Sequence, residues 1–434
     1  MSLKKMVSIA LASLMALTAF SGCSQKASQG SSESGGIYKG TLTLCTWDSA
    51  KTQYLKDTQA AYQKLHPDVT LKMLDITASD YIDKVTVMLA GGDTTDVIDF
   101  KSLPQMGTLV SQGRMEKLDP YISKAKFDMT PYNEMEEGLK VNNSVYSLPF
   151  RDDVWVLYYN KDLFDKAGVT YPTNDMTWDQ YRDTAKKLTS GSGASKVYGA
   201  YTHTWAEAVQ DWWVADGKGS LTDGKYDGLK SYYEFFLGMQ NEDGSMMSYA
   251  TVKAAGSNYL GYFTNQQIAM IPMGSWMASN LIYNFNTGNY KTFKWGMVNV
   301  PHSPGTKAGS TVGAPTGDGI NVNAKNKALA WDFIQWRSSE DGALVHAQSG
   351  QMPALRTDKV MKALSEVKGM PADENSMAAL KPGKVYPNLP YDQYGAQINQ
   401  ILTEENELIM TGSVSVDKGI ADMTSRVAAA KAGK

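Results

Sequence analysis

Trp47 and Asp48 stand side by side at the end of an alternating stretch, residues 41–46, which places a flat apolar ring and a carboxylate at one strand end. A core tryptophan followed by a capping aspartate is the competing reading of this pair. Asp99 lies at the end of a third apolar run, beyond a parallel strand, where open α/β sheets bind ligands; a capping role suits it equally. Arg151, Asp152 and Asp153 form a charged triplet that leads straight into a β-branched and aromatic run at 154–159. Trp205 opens a helix and is placed to face a cleft, whereas Trp212 and Trp213 read as core. This set suits binding, because rings take apolar area out of water while charged groups bond a ligand's polar edge.

Catalysis has less support. The four histidines, at 66, 203, 302 and 346, are scattered without a His or Cys partner at ligand spacing, so no metal is expected and no cofactor is indicated. Neither a Gly-x-Ser-x-Gly elbow nor a Walker A loop is present. Glycoside hydrolysis needs only two carboxylates, which no pattern excludes, and it stands as the alternative activity.

The elements that must position these residues alternate. Strands at 41–46, 69–74 and 97–100 are separated by helical spacings, one carrying Tyr54, Leu55, Ala61, Tyr62 and Leu65, the other Ile82, Val85 and Leu89. Strand, helix, strand, helix, strand builds a parallel sheet through right-handed crossovers. A second α/β block follows, with capping boxes expected at 177–180 and 204–207, a surface loop at 216–228, and strands at 268–273 and 295–300. Residues 309–319 read as loop and 320–323 as a short strand; the chain beyond 353 is helical apart from a Pro/Tyr-rich insert at 381–394.

At 434 residues the chain exceeds one ordinary core, and its net charge of −3 offers no basic footprint for nucleic acid. Ten Trp and 24 Tyr against 11 Phe favour rings with a polar edge. Lys4 and Lys5 precede an apolar run, 6–20, too short to span a bilayer and suited to a signal-peptide core. It ends in Phe20, Ser21, Gly22 and Cys23, which resembles the bacterial lipobox with Phe in place of the commoner Leu. Residues 1–22 are therefore expected to be removed, and Cys23 to be lipidated and to hold the protein on the outer face of the cytoplasmic membrane. Residues 23–36 form a tether with an average span of about 20 Å. Cys45 is then left without a disulfide partner.

The string LPFRDDVWVLYYNKDLF at 148–164, followed by Thr177 and Trp178, resembles the signature of carbohydrate-type (family 1) extracellular solute-binding proteins, the receptor subunits of ABC importers. Three further stretches match the same pattern: 90–98, 263–276 with its Gly-Ser-Trp end, and 330–353. Pro387 to Pro390 resembles a stretch of maltose-binding proteins. Five weak motifs in the right order make a strong resemblance, which covers about residues 40–430.

That resemblance implies a two-lobed, type II-like periplasmic-binding-protein fold of α/β class, with a ligand cleft between lobes joined by hinge crossings near 148–151, 299–303 and 347–353. The lobes would comprise 37–150 with 302–350, and 151–301 with 351–434. It implies a monomeric receptor, not an enzyme, that binds a sugar or oligosaccharide and delivers it to ABC permease transmembrane subunits served by a separate ATPase. By the same resemblance Trp276 occupies the place of a sugar-stacking ring and Asp153 that of a carboxylate bonding ligand hydroxyls; core packing and a local pair with Arg151 are their respective alternatives. Asp318, Tyr391 and Asp392 complete the candidate set, with Arg356 divided between ligand and surface. The acidic cleft leaves a cationic solute such as a polyamine as a further alternative.

Overall fold

The computed structural model describes residues 38–256 and 258–433. The leader, the tether and Cys23 lie outside the described residues.

β1 (Gly40–Trp47) alternates as its sequence demands, with Leu42 and Leu44 buried and Thr41 and Thr43 facing outward. It is joined to β2 (Val69–Ile76) through α1 (Gln53–Leu65), whose buried Tyr54, Leu55, Thr58 and Tyr62 form one stripe. α2 (Tyr81–Ala90) buries Tyr81, Val85 and Leu89 and leads to β3 (Val97–Phe100). β1 pairs parallel with both β2 and β3, as the strand–helix alternation requires. α3 (Leu103–Ser111) follows, capped by the Ser102 hydroxyl on the Gln105 amide. A small hairpin, β4 (Lys140–Val141) and β5 (Ser144–Val145), turns through Asn142 and Asn143, both with positive φ.

β6 (Leu148–Asn160) is 13 residues long and buried throughout. Its start pairs with β10 (Ser310–Ile320), and its end lies between β8 (Ile268–Gly274) and β9 (Trp295–Asn299). β7 (Tyr198–Ala200) extends β8 in parallel, and β11 (Lys384–Pro387) pairs with the start of β10. The far end of β10 pairs with β3, so the strand order is β2-β1-β3-β10-β6-β8-β7. β6 and β10 thus run antiparallel between two halves, and the chain passes again at Pro353 and Ala354, which bridge Arg151 and Phe150.

Three expectations are corrected. Residues 310–319, expected as loop, are strand. Their glycines mark close approach: a Cβ on Gly313 would meet the Asp153 carbonyl oxygen at 2.4 Å, and one on Gly317 the Ser147 hydroxyl at 2.1 Å. The second crossing lies along β10, which pairs with both β6 and β3, and not at 299–303, where Ser303 and Thr306 remain bonded to Asp216. The capping box at 204–207 is not formed; the helix Glu207–Ala215 starts later, on Ala206, without a side-chain cap. The box at Thr177 and Gln180 does form.

The largest apolar cluster fills the second half around β6, β8 and β9. Two smaller ones pack on either side of the β1–β3 sheet.

Candidate ligand cleft

The left-handed backbone of Asp48 (φ 50°) stops β1 just after Trp47 and turns the chain into a short 3-10 turn. The Trp47 ring packs edge-on against Tyr81 at 5.0 Å and keeps part of its surface exposed. The Arg151 guanidinium stands 5.5 Å from that ring, and Lys101 Nζ lies 6.0 Å from it. Lys101 also donates to the Ala78 carbonyl, whose own amide donates to Asp48 at 3.3 Å.

Side chains two apart on a strand share a face. Arg151 and Asp153 therefore meet on one side of β6, Nε to Oδ2 at 2.7 Å. Arg151 also donates to Tyr54 Oη at 3.1 Å and to Thr316 Oγ1 at 3.2 Å. Asp153 Oδ1 accepts from Ser275 Oγ at 2.7 Å and from Gln351 Nε2 at 3.1 Å. Ser275 carries the chain to Trp276, which lies across Gly274; a Cβ on that glycine would meet the indole at 2.0 Å. Trp276 Nε1 donates to Tyr259 Oη at 3.1 Å. The Trp205 ring stands 6.3 Å from Trp276 at 54°, with its other neighbours His203 at 4.4 Å and Tyr259 at 5.9 Å. Trp205 is 38% exposed, unusual for so large a ring.

Trp47, Asp48, Arg151, Asp153, Trp205 and Trp276 are thus one contiguous set, Trp47 from the first half and Trp205 and Trp276 from the second. Four expected members are not in it. Asp99 and Asp318 are fully buried: Arg337 Nη1 bonds each at 2.8 Å, and Thr46 Oγ1 donates to Asp99 at 2.6 Å. They are held inside the first half, closed to any solute. Tyr391 packs over Gly107, and Asp392 accepts from the Tyr394 amide at 2.7 Å and pairs with Lys431 at 3.3 Å. Arg356 holds Asp152 at 2.6 Å on the opposite side of β6.

Sequence reasoning missed Lys101, Glu207, Tyr259 and Gln351. Asp48 and Glu207 both lie close enough to Lys101 to favour its charged form. Burial lowers the Lys101 pKa while Asp48 and Glu207 oppose it, and burial raises that of Glu207. Burial also pushes His203 down to about 4 and Tyr259 up to about 12, so His203 is neutral near pH 7. The available signal for Lys101 was its place directly after β3; Glu207 was hidden by its reading as a capping residue.

Residues 47–344 match the family model described as bacterial extracellular solute-binding protein. Over 335 residues the chain is 23% identical to the galactooligosaccharide-binding protein of Bacillus subtilis, covering 74% of each. Among solved structures it is similar to a sugar transporter from Rhizobium etli in an open conformation, with 40% identity and a TM-score of 0.77 over 90% of this chain and 99% of that one. An ABC substrate-binding protein from Listeria monocytogenes in complex with cycloalternan shares the fold at 23% identity, with a TM-score of 0.78 over 91% of this chain and 100% of the other. The two-lobed α/β architecture expected from the sequence is the one found.

Proposed function

The chain belongs to the bacterial extracellular solute-binding proteins, which are binding proteins rather than enzymes, and from that premise we propose that it is an extracytoplasmic sugar or oligosaccharide receptor of an ABC importer. One observation carries the reading. A continuous run of contacts links Trp47 on the first half, through Arg151 and Asp153 on a shared strand, to Trp276 on the second. Exposed rings offer faces for the C–H side of pyranose units, and Asp48, Lys101 and Glu207 offer partners for their hydroxyls. The names of the relatives, galactooligosaccharide-binding and cycloalternan-bound, support that ligand class. A ligand that touches both halves has more affinity for the closed arrangement, so binding pulls an open ensemble shut about β6 and β10.

In this reading the closed form docks on permease subunits whose ATPase is separate. A lipid on Cys23 keeps the receptor at the outer face of the membrane, and Cys23→Ser shifts it from the membrane to the soluble fraction. Asp153 is poorly suited to hydrolysis, because Arg151, Ser275 and Gln351 already use its oxygens. Calorimetry of the purified protein with maltotriose, a galactooligosaccharide and cycloalternan tests the proposal. Saturable heat without new reducing ends supports it. Reducing ends, or saturable heat with spermidine alone, would overturn it.

A further inference from the structure

The second wall of the cleft is built on two indoles that do not share a plane. The Trp205 and Trp276 ring centres lie 6.3 Å apart, and their planes meet at 54°. Neither ring has a parallel stacked partner among the described residues: His203 and Tyr259 meet Trp205 at 83° and 68°, and Trp155 meets Trp276 at 81°. Faces are therefore left for a ligand. Trp276 offers only one of its two, because the ring lies across Gly274, where a Cβ would fall 2.0 Å from the indole.

Tyr259 touches both indoles. It is the buried first residue of the short helix Tyr259–Thr264. Its ring stands 5.9 Å from that of Trp205, while its hydroxyl oxygen accepts from Trp276 Nε1 at 3.1 Å. One side chain thus fixes the inclination of the two platforms. A pyranose gains most when its C–H face lies flat on a ring, so two successive sugars can both stack here only if their own mean planes are inclined. Ribbons of the cellulose type are flat, and such a chain seats on one indole while the second goes without cover. Sugars joined as in maltose are set at an angle and can use both.

We infer that the cleft selects bent, α-linked oligosaccharides over flat ribbons of the cellulose type, and that Tyr259 is the positioning residue that sets this selectivity. The selectivity rests on the sugar reading given above and narrows the ligand to one shape of glycan.

Calorimetry of the full chain with maltotriose, isomaltotriose, cellotriose and the flat mannan-type mannotriose tests it. At least one of the two α-linked trisaccharides is expected to bind about tenfold more tightly than either flat one. Tyr259→Phe keeps the ring and removes the hydroxyl, which leaves Trp276 Nε1 without its acceptor. This variant should lose affinity for the bent glycan while that for cellotriose stays put, bringing the ratio to within about threefold. A purely structural role would weaken both classes equally. Trp205→Ala removes one platform and should lower the same ratio; the ring is 38% exposed, so this variant folds whatever Tyr259→Phe does. Flat and bent glycans bound alike by the parent chain overturn the selectivity, and a ratio unchanged in both variants overturns its origin in the two indoles. A ratio that falls with Trp205→Ala but not with Tyr259→Phe removes Tyr259 from the role. If none of the four trisaccharides gives heat while a galactooligosaccharide does, the selectivity falls and the sugar reading stands; if no sugar gives heat, both fall.

Discussion

Arg151 Nε and Asp153 Oδ2 meet at 2.7 Å on the cleft side of β6, both nearly buried, and with them the two aromatic walls are joined. Losing one member leaves the other as an uncompensated buried charge. Asp153→Ala should therefore cost about 3–5 kcal/mol of stability as well as ligand affinity. Asp153→Asn retains an acceptor for Ser275 and Gln351, so it should unfold at a higher denaturant midpoint than the alanine variant while still binding weakly. Urea melts with calorimetry on both variants check this; equal stability of the two would mean that the bonds from Ser275 and Gln351 contribute nothing to the hinge strand.

The two tryptophans of the second wall should separate binding from folding. Trp205 is 38% exposed, and its side chain makes ring contacts with His203, Tyr259 and Trp276. Trp205→Ala is expected to lower stability by less than about 1 kcal/mol and to weaken sugar binding about tenfold or more. Trp276 is half-buried, bonds Tyr259 and packs edge-on with Trp155 at 5.7 Å. Trp276→Ala should cost about 2 kcal/mol and abolish binding. Reversal of the two stability effects would place Trp205, not Trp276, in the core.

Much of this arrangement was legible because it is local. The Trp47–Asp48 pair needs only a strand end, and the aromatic run after Asp153 needs only a pleat. What failed was non-local. Asp99 and Asp318 carry no mark of the partner that claims them, Arg337, which lies 238 residues from one and 19 from the other. β10 was unreadable because Gly313, Gly317 and Gly319 signal a loop in isolation, and become strand residues only once β6 and Phe100 pack against them. The first wall was found from strand ends; Glu207 and Tyr259 were missed because a helix start reveals nothing about what faces it.

The Arg337 triad gives a test of that non-local structure. Arg337 is fully buried, 3.4 Å from the centre of the Phe150 ring, and bonds two carboxylates at once. Burial pushes the Asp318 carboxyl well above its usual range, with Arg337 opposing and Asp99 adding to the rise. Arg337→Met should lose about 3–5 kcal/mol. Adding Asp99→Asn and Asp318→Asn in the same chain should recover a large part of that loss, because no charge is then left unpaired. Thermal melts of the single and triple variants decide it; a triple variant no better than the single would mean that packing, not charge, governs the site.

Asp211 poses the opposite case, a carboxylate with no cation. It is fully buried on the helix Glu207–Ala215, and neither of its oxygens has a hydrogen-bond partner among the described residues. Burial raises its pKa well above the usual carboxylate range, and Glu207 one turn earlier adds to the rise. The folded state therefore holds a proton that the unfolded chain releases above its ordinary pKa of about 4. For an acid raised in this way, stability is fully present below the unfolded pKa and is lost as pH climbs toward the folded one. Asp211→Asn keeps the shape and removes the titration. The variant should be more stable than the parent by about 1–3 kcal/mol at pH 7, and the gain should shrink to nothing as pH falls below about 4. Denaturant melts of both proteins across that range measure the difference directly. A loss at pH 7 would show that Asp211 is charged and paired in the folded chain, and a gain that is flat with pH would show that its titration does not govern the difference.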